Sequence, residues 1–242
     1  MNTVSAADML SVWERGLNQS PLQRALILLV AAYPDVKPDE LARLSIGERD
    51  RRLLRLRQRC FGSRLANTAF CPACTERLEW ENSVSDIYVA PPPAVSQGNQ
   101  FDFHSGNYHI FFRLPNSRDI DRVLGQDDAQ QALITRCIAR AECAGKAHPV
   151  DKLPHDIIQA AGQHIEQMDP QAEIKINLEC PACSHRWNVL FDITSFLWAE
   201  LSEWAQRTLH TVFRLARGYG WTEKDILNLS AVRRQLYLGM LG

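Results

Sequence analysis

Two cysteine pairs carry the chemistry in this sequence: Cys71-Pro-Ala-Cys74 and, more than a hundred residues later, Cys180-Pro-Ala-Cys183. Zn2+ takes four ligands in a tetrahedron, and thiolates at about 2.3 Å are among its preferred donors. A Cys-x-x-Cys on a tight turn offers two sulfurs to one ion, and the proline stiffens that turn. One such knuckle supplies half a tetrahedron, and a second completes it. The pattern therefore predicts one Zn2+ bound by Cys71, Cys74, Cys180 and Cys183. Four sulfurs leave no coordination position open, so the predicted ion is structural and not catalytic.

Other readings of the cysteines compete with this one. In a thioredoxin-like dithiol the Cys-x-x-Cys opens a helix that lowers the thiol pKa; here strand-like runs follow both pairs. Thr75 and Ser184 stand where glycine often follows the second cysteine, and His185 is near enough to replace a sulfur ligand. Cys60, Cys137 and Cys143 fall on runs that read as helix and are expected to be small core residues. The start, MNTVSAADML, lacks the basic and apolar segments of a signal peptide, which favours metal-bound thiolates over disulfides.

The elements that must position these pairs are legible from caps and periodicity. Ser5 to Asp8, Ser20 to Gln23 and Ser45 to Glu48 read as capping boxes, so the first sixty residues are expected to be helical. LANTAFCPACTERLEWENSVSDIYV reads as strand, knuckle, strand, and AEIKINLEC with HRWNVLFDI frames the second knuckle in the same way. VAPPPAVSQGNQ is a polar, proline-rich linker, and FDFHSGNYHIFFRL is a hairpin turning at Ser105-Gly106-Asn107. Asn116 is a candidate cap, and further helices are expected over 128–142 and 154–167. In the C-terminal part Leu197, Leu201, Trp204, Thr208, Val212 and Leu215 form one stripe, Gly218 is a stop, and Thr222 and Ser230 open two more helices.

The expected fold is thus α+β and mainly helical, with a split four-cysteine zinc ribbon between helical modules. The parts are an N-terminal helical module (1–63), the ribbon (64–90 with 171–194), an insertion of linker, hairpin and helices (91–170), and a C-terminal helical module (195–242).

Composition narrows the function. The 242 residues are 45% apolar with a formal net charge of -1, so general attraction to polyanions is not expected. The longest apolar run, Ala25 to Ala32, is far short of the ~20 residues of a membrane span. There is no Gly-rich phosphate loop, nucleophile elbow or HEXXH. His104 and His109 flank a hairpin turn as expected surface residues, and His155 and His164 sit on one helix at poor spacing for shared ligation. The sequence thus points away from an enzyme and from a small-molecule substrate. Arg49, Arg51, Arg52, Arg55, Arg57 and Arg59 invite an alternative, a zinc-ribbon nucleic-acid binder, but Glu48 and Asp50 interrupt the run and no aromatic residue is there to stack on bases. The C-terminal module carries Trp198, Trp204, Trp221 and Tyr237 with Arg214, Arg217, Arg233 and Arg234, the residue types of protein-contact hot spots. Trp221, Arg233, Arg234 and Tyr237 are the candidate protein-binding residues.

LARLSIGERDRRLLRLRQRCFGSRLANTAFCPAC, RLPNSRDI, CPACSHRWNVLFDITSFLWAEL and RLARGYGWTEKDILNLSAVRRQLYLGML resemble the T-even-type phage baseplate hub assembly family and its relatives in phage-tail-like injection systems. The likeness spans nearly the full chain, and the family's paired cysteines fall on Cys71, Cys74, Cys180 and Cys183. The resemblance implies a non-enzymatic role in baseplate and hub assembly, as an assembly chaperone or a low-copy component. It also implies other baseplate, hub or tail proteins as partners, and a location in the bacterial cytoplasm or the assembled tail particle.

Overall fold

The computed structural model describes residues 5–92 and 100–241, so residues 93–99 of the expected linker lie outside the described residues. Its described residues are 55% helical and 20% strand, the mainly helical mixture expected. Helix α1 (Ala6–Gly16) opens on a full capping box: the Ser5 hydroxyl accepts from the Asp8 N–H at 3.1 Å, and the Asp8 carboxylate accepts from the Ser5 N–H at 3.2 Å. Ser20 and Gln23 repeat it for α2 (Pro21–Ala32). Helices α3 (Pro38–Ala42) and α4 (Ile46–Phe61) follow. At α4 only half of the expected box forms. Ser45 accepts from the Glu48 N–H, but the Glu48 carboxylate accepts from Arg51 and Arg52 instead.

The strands then alternate with short helices. β1 (Arg64–Phe70) and β2 (Arg77–Ser83) form one antiparallel hairpin and lead into α5 (Val84–Ile87). β3 (Phe101–Ser105) and β4 (Tyr108–Phe112) form the predicted hairpin, and Asn116 caps α6 (Ser117–Val123). Helix α7 (Ala129–Cys137) stops short of the expected 142, because Ile138–Cys143 is strand β5, paired with β4 and with β6 (Lys146–His148). Cys143 is therefore a half-buried strand residue rather than a helical one. Helix α8 (His155–Met168) precedes the second hairpin of the knuckle type, β7 (Ile174–Glu179) with β8 (Arg186–Phe191). The chain ends in α9 (Ile193–Tyr219), α10 (Glu223–Asn228) and α11 (Ala231–Gly239). Helix α9 runs past Gly218, and Gly220, at φ +70°, takes the left-handed position that ends it.

The described chain forms two compact units. One comprises the residues up to Val36 and those from Ile193 onward, with α9 packed against α1, α2, α10 and α11. The predicted α9 stripe is its spine: Leu197, Leu201, Thr208, Val212 and Leu215 are buried, and Trp204 is half-buried. Helix α1 ends against this spine at a glycine because a Cβ on Gly16 would lie 2.2 Å from the Trp198 ring. Arg24 covers the same indole at 4.5 Å.

The other unit, Lys37–Asp192, holds a four-stranded antiparallel sheet in the order β3-β4-β5-β6. Phe103, Ile110, Phe112 and Ala141 line one face of it and pack against Ile157, Ile158, Ala161 and Ile165 of α8. The same unit contains α4, a basic helix whose arginines divide between surface and interior. Arg49, Arg51 and Arg57 are buried. Arg49 pairs with Asp50 at 2.7 Å, Arg57 donates to the Gly62 carbonyl at 2.7 Å, and Arg51 donates to Glu48 at 3.0 Å. Burial lifts the Asp50 carboxyl to about 6 despite the adjacent Arg49 charge. Asp169, just after α8, accepts from the Gly47 N–H at 2.7 Å, at the positive end of α4. A Cβ on Gly47 would lie 2.0 Å from Asp169, so only glycine admits the carboxylate there.

Candidate metal centre

Each cysteine pair occupies the turn of one hairpin, Cys71 and Cys74 between β1 and β2, Cys180 and Cys183 between β7 and β8. The two turns are copies of one local structure. In the first, the Cys71 N–H donates to the Glu76 carbonyl and the Thr75 N–H to the Cys71 carbonyl, both at 2.9 Å. In the second, the Cys180 N–H donates to the His185 carbonyl at 2.9 Å and the Ser184 N–H to the Cys180 carbonyl at 2.8 Å. Neither pair opens a helix, unlike a thioredoxin-like dithiol.

The turns converge. Cys71 Sγ lies 3.6 Å from Cys183 Sγ, and Cys74 Sγ lies 3.5 Å from Cys180 Sγ. All four sulfurs lie within 4.8 Å of one another. A disulfide would need about 2.05 Å, and all four cysteines are free thiols. Tetrahedral ligands at about 2.3 Å from one ion stand about 3.8 Å apart, close to the separations observed. Cys71 and Cys180 are buried while Cys74 and Cys183 reach the surface. The four could hold a metal ion. His185, the possible replacement ligand, is outside the group; its ring stacks on Trp187 at 5.9 Å.

The surroundings favour charge on one of these sulfurs and resist it on two others. Burial pushes the Cys71 thiol up, but the N–H groups of Cys74 and Ala73 point at its sulfur and hold it down to about 7. At Cys74 the Glu76 N–H favours the thiolate, yet the neighbouring thiols and burial push the group up to about 12. Cys183 is also raised, although the His185 N–H and Cys74 favour its thiolate. A divalent cation at the centre would favour the thiolate at all four cysteines and release their protons.

Thr75 and Ser184 adopt φ of +62° and +57°, the left-handed region where glycine had been the expected residue. A non-glycine residue there costs roughly 1–2 kcal/mol, partly offset because glycine loses more entropy on folding. Replacing both with glycine should raise the melting midpoint by roughly 2–4 °C at unchanged metal content, measured by calorimetry.

The candidate protein-binding residues divide. In the other unit, Tyr219, Trp221 and Tyr237 pack on the cluster of Val212, Leu215 and Ile226, with the Tyr219 and Trp221 rings stacked at 4.6 Å. Arg233 is exposed, its guanidinium 5.9 Å from the Tyr237 ring centre. Arg234 is interior, 8% exposed, and donates to the Leu227 and Leu229 carbonyls. Glutamate at 234 would leave those carbonyls unpaired, so a double Arg233/Arg234 charge reversal would disturb the fold; Arg233 alone probes the surface. The sequence also missed a second group of close donors, Asp102, His104 and His109. Its signal was the alternation Asp102-x-His104 together with a turn that sets His109 opposite.

The geometry defines a class: a mixed helix-and-sheet protein in which two distant hairpins close a four-cysteine group able to hold a metal ion. A family model described as T4 bacteriophage base plate protein matches residues 4–198. The chain belongs to that family, as its resemblance in sequence led one to expect, and all four cysteines fall within the matched segment. No curated protein and no solved structure matches it. Membership gives the chain a role in the phage base plate among other tail or base plate proteins. No helix among the described residues is long and apolar enough to cross a membrane.

Proposed function

We propose that the protein is a non-enzymatic, zinc-stabilised protein-binding factor in assembly of the baseplate and hub of a contractile phage tail or phage-tail-like injection system, acting as an assembly chaperone or a low-copy component. The observation that carries this reading is the convergence of four sulfurs from two hairpins inside the segment matched to the base plate family. In the reading, Cys71, Cys74, Cys180 and Cys183 bind one Zn2+ and make the hairpins a split zinc ribbon. A closed four-sulfur shell has no position for a substrate, which supports a structural ion.

The binding surface proposed is on the helical unit. Helix α11 and its C-cap residue expose Val232, Leu236 and Met240 at four-residue intervals, beside Arg233. An exposed apolar stripe of this kind is a common mark of a protein-contact surface. The alternative, a zinc-ribbon nucleic-acid binder, loses support because Arg49, Arg51 and Arg57 of the basic helix face inward.

The test is co-purification with base plate intermediates from infected cells. Recovery with intermediates alone favours the chaperone, recovery with finished particles favours the component, and recovery with neither refutes the reading. Val232→Asp combined with Leu236→Asp, at exposed positions, should leave the melting curve in place and abolish capture. Unchanged capture would remove α11 from the surface.

A further inference from the structure

The outer face of the four-stranded sheet carries a cluster unrelated to the cysteines. Gly106, at φ +57°, helps to form the tight turn of the β3–β4 hairpin and so fixes its register. That register sets His104 directly opposite His109. Strand alternation places Asp102 on the same face as His104, while Phe103, Ile110 and Phe112 point into the core. We infer that Asp102, His104 and His109 form a second metal site, for a divalent transition ion of the Zn2+ or Ni2+ type.

The donors are already close. One ligand atom from each lies within 4.8 Å of the others, and His109 Nε2 is 2.8 Å from Asp102 Oδ2. Two donors on an ion at about 2.1 Å stand about 3.0 Å apart at right angles, as on octahedral nickel, and about 3.4 Å apart on tetrahedral zinc. An ion bound to both atoms would lie to one side of the line joining them and replace this hydrogen bond. Orientation is fixed as well. The His109 ring is 3.9 Å from His104 and 4.2 Å from Phe111, so its nitrogen is aimed by packing.

Charge and donor type select the ligand. Two imidazoles and one carboxylate suit Zn, Ni, Cu or Fe, whereas Mg2+ and Ca2+ prefer all-oxygen shells. Glu142, opposite His109, is occupied by Arg140 at 3.4 Å, and Arg140 also lies over Phe111 at 3.8 Å. Asp102 therefore supplies the anionic donor. Three protein donors leave positions for water, so this site should exchange its ion where a closed four-sulfur shell does not.

The test loads the untagged full-length protein with Ni2+, removes excess by dialysis, and measures nickel and zinc per chain. One bound nickel is expected, with a visible spectrum free of sulfur-to-metal charge transfer. His104→Ala with His109→Ala should lose that nickel without changing the zinc content or the melting curve. In the wild type, paramagnetic broadening should centre on the His104 and His109 ring signals, a readout that needs no variant. No nickel in the wild type, nickel retained by the double variant, or broadening centred elsewhere would overturn the site.

Discussion

On the zinc reading proposed above, Cys180→Ser should abolish metal binding and, with it, the folded state of the Lys37–Asp192 unit. Structural zinc contributes roughly 10–16 kcal/mol in small peptides, while a whole domain is stable by only about 5–15 kcal/mol. Cys180 is buried, and its sulfur lies 3.5 Å from that of Cys74. A serine there would leave three sulfurs and a poor oxygen donor around the ion. Binding also closes a loop of about a hundred residues, which in the unfolded chain amounts to on the order of 4–5 kcal/mol of entropy in a disulfide-type model. Cys60→Ser is the control. That residue is half-buried on α4 outside the metal group, so the variant should keep its zinc and melt within a few degrees of the wild type. The check is thermal unfolding alongside zinc content, with a chelator reproducing the Cys180→Ser result in the wild type. Because the ligands must lose protons to bind, zinc should also be released as the solution is made acidic.

Asp169→Ala should be the most damaging single change away from the cysteines. The Asp169 and Arg51 side chains are each 1% exposed, and they approach to 3.6 Å. Removing the carboxylate leaves the Arg51 charge interior with Glu48 at 3.0 Å as its anionic partner among the described residues, and it strips the Gly47 N–H of its acceptor. Breaking a buried pair in this way costs about 3–5 kcal/mol, which a urea titration reads as a large fall in the midpoint. Burial is the largest influence on Asp169 and raises its pKa, outweighing the Gly47 N–H, Ser45 and Arg51. A raised folded pKa means the folded state holds the proton more tightly than the unfolded chain does. Asp169's titration-linked contribution is therefore full in acid and declines as pH rises through that pKa. The gap between wild type and variant should accordingly be widest at the acid end of the range where both fold.

Much of this was legible in the sequence, where the governing interactions are local. Ser5, Ser20, Asn116, Thr222 and Ser230 each cap the helix that their spacing announced, because a cap is decided within four residues. The two Cys-Pro-Ala-Cys turns were legible for the same reason, and their repetition gave the long-range contact. What the sequence did not disclose depends on partners far along the chain. Ile138–Cys143 has the Ala, Arg and Glu content of a helix, yet pairing with β4 makes it a strand. Arg51 looks solvated until Asp169, more than a hundred residues later, is folded against α4. Arg234 looks like a surface cation until the carbonyls of Leu227 and Leu229 turn toward it. The Asp102, His104 and His109 group depends on the register across the β3–β4 hairpin, which alternation within one strand does not fix.

X-ray absorption at the zinc edge of the purified protein tests the central claim most directly. One zinc per chain with a single shell of four sulfurs at about 2.3 Å is the predicted result. A protein that purifies folded with no metal, or a zinc surrounded by nitrogen and oxygen, would contradict it.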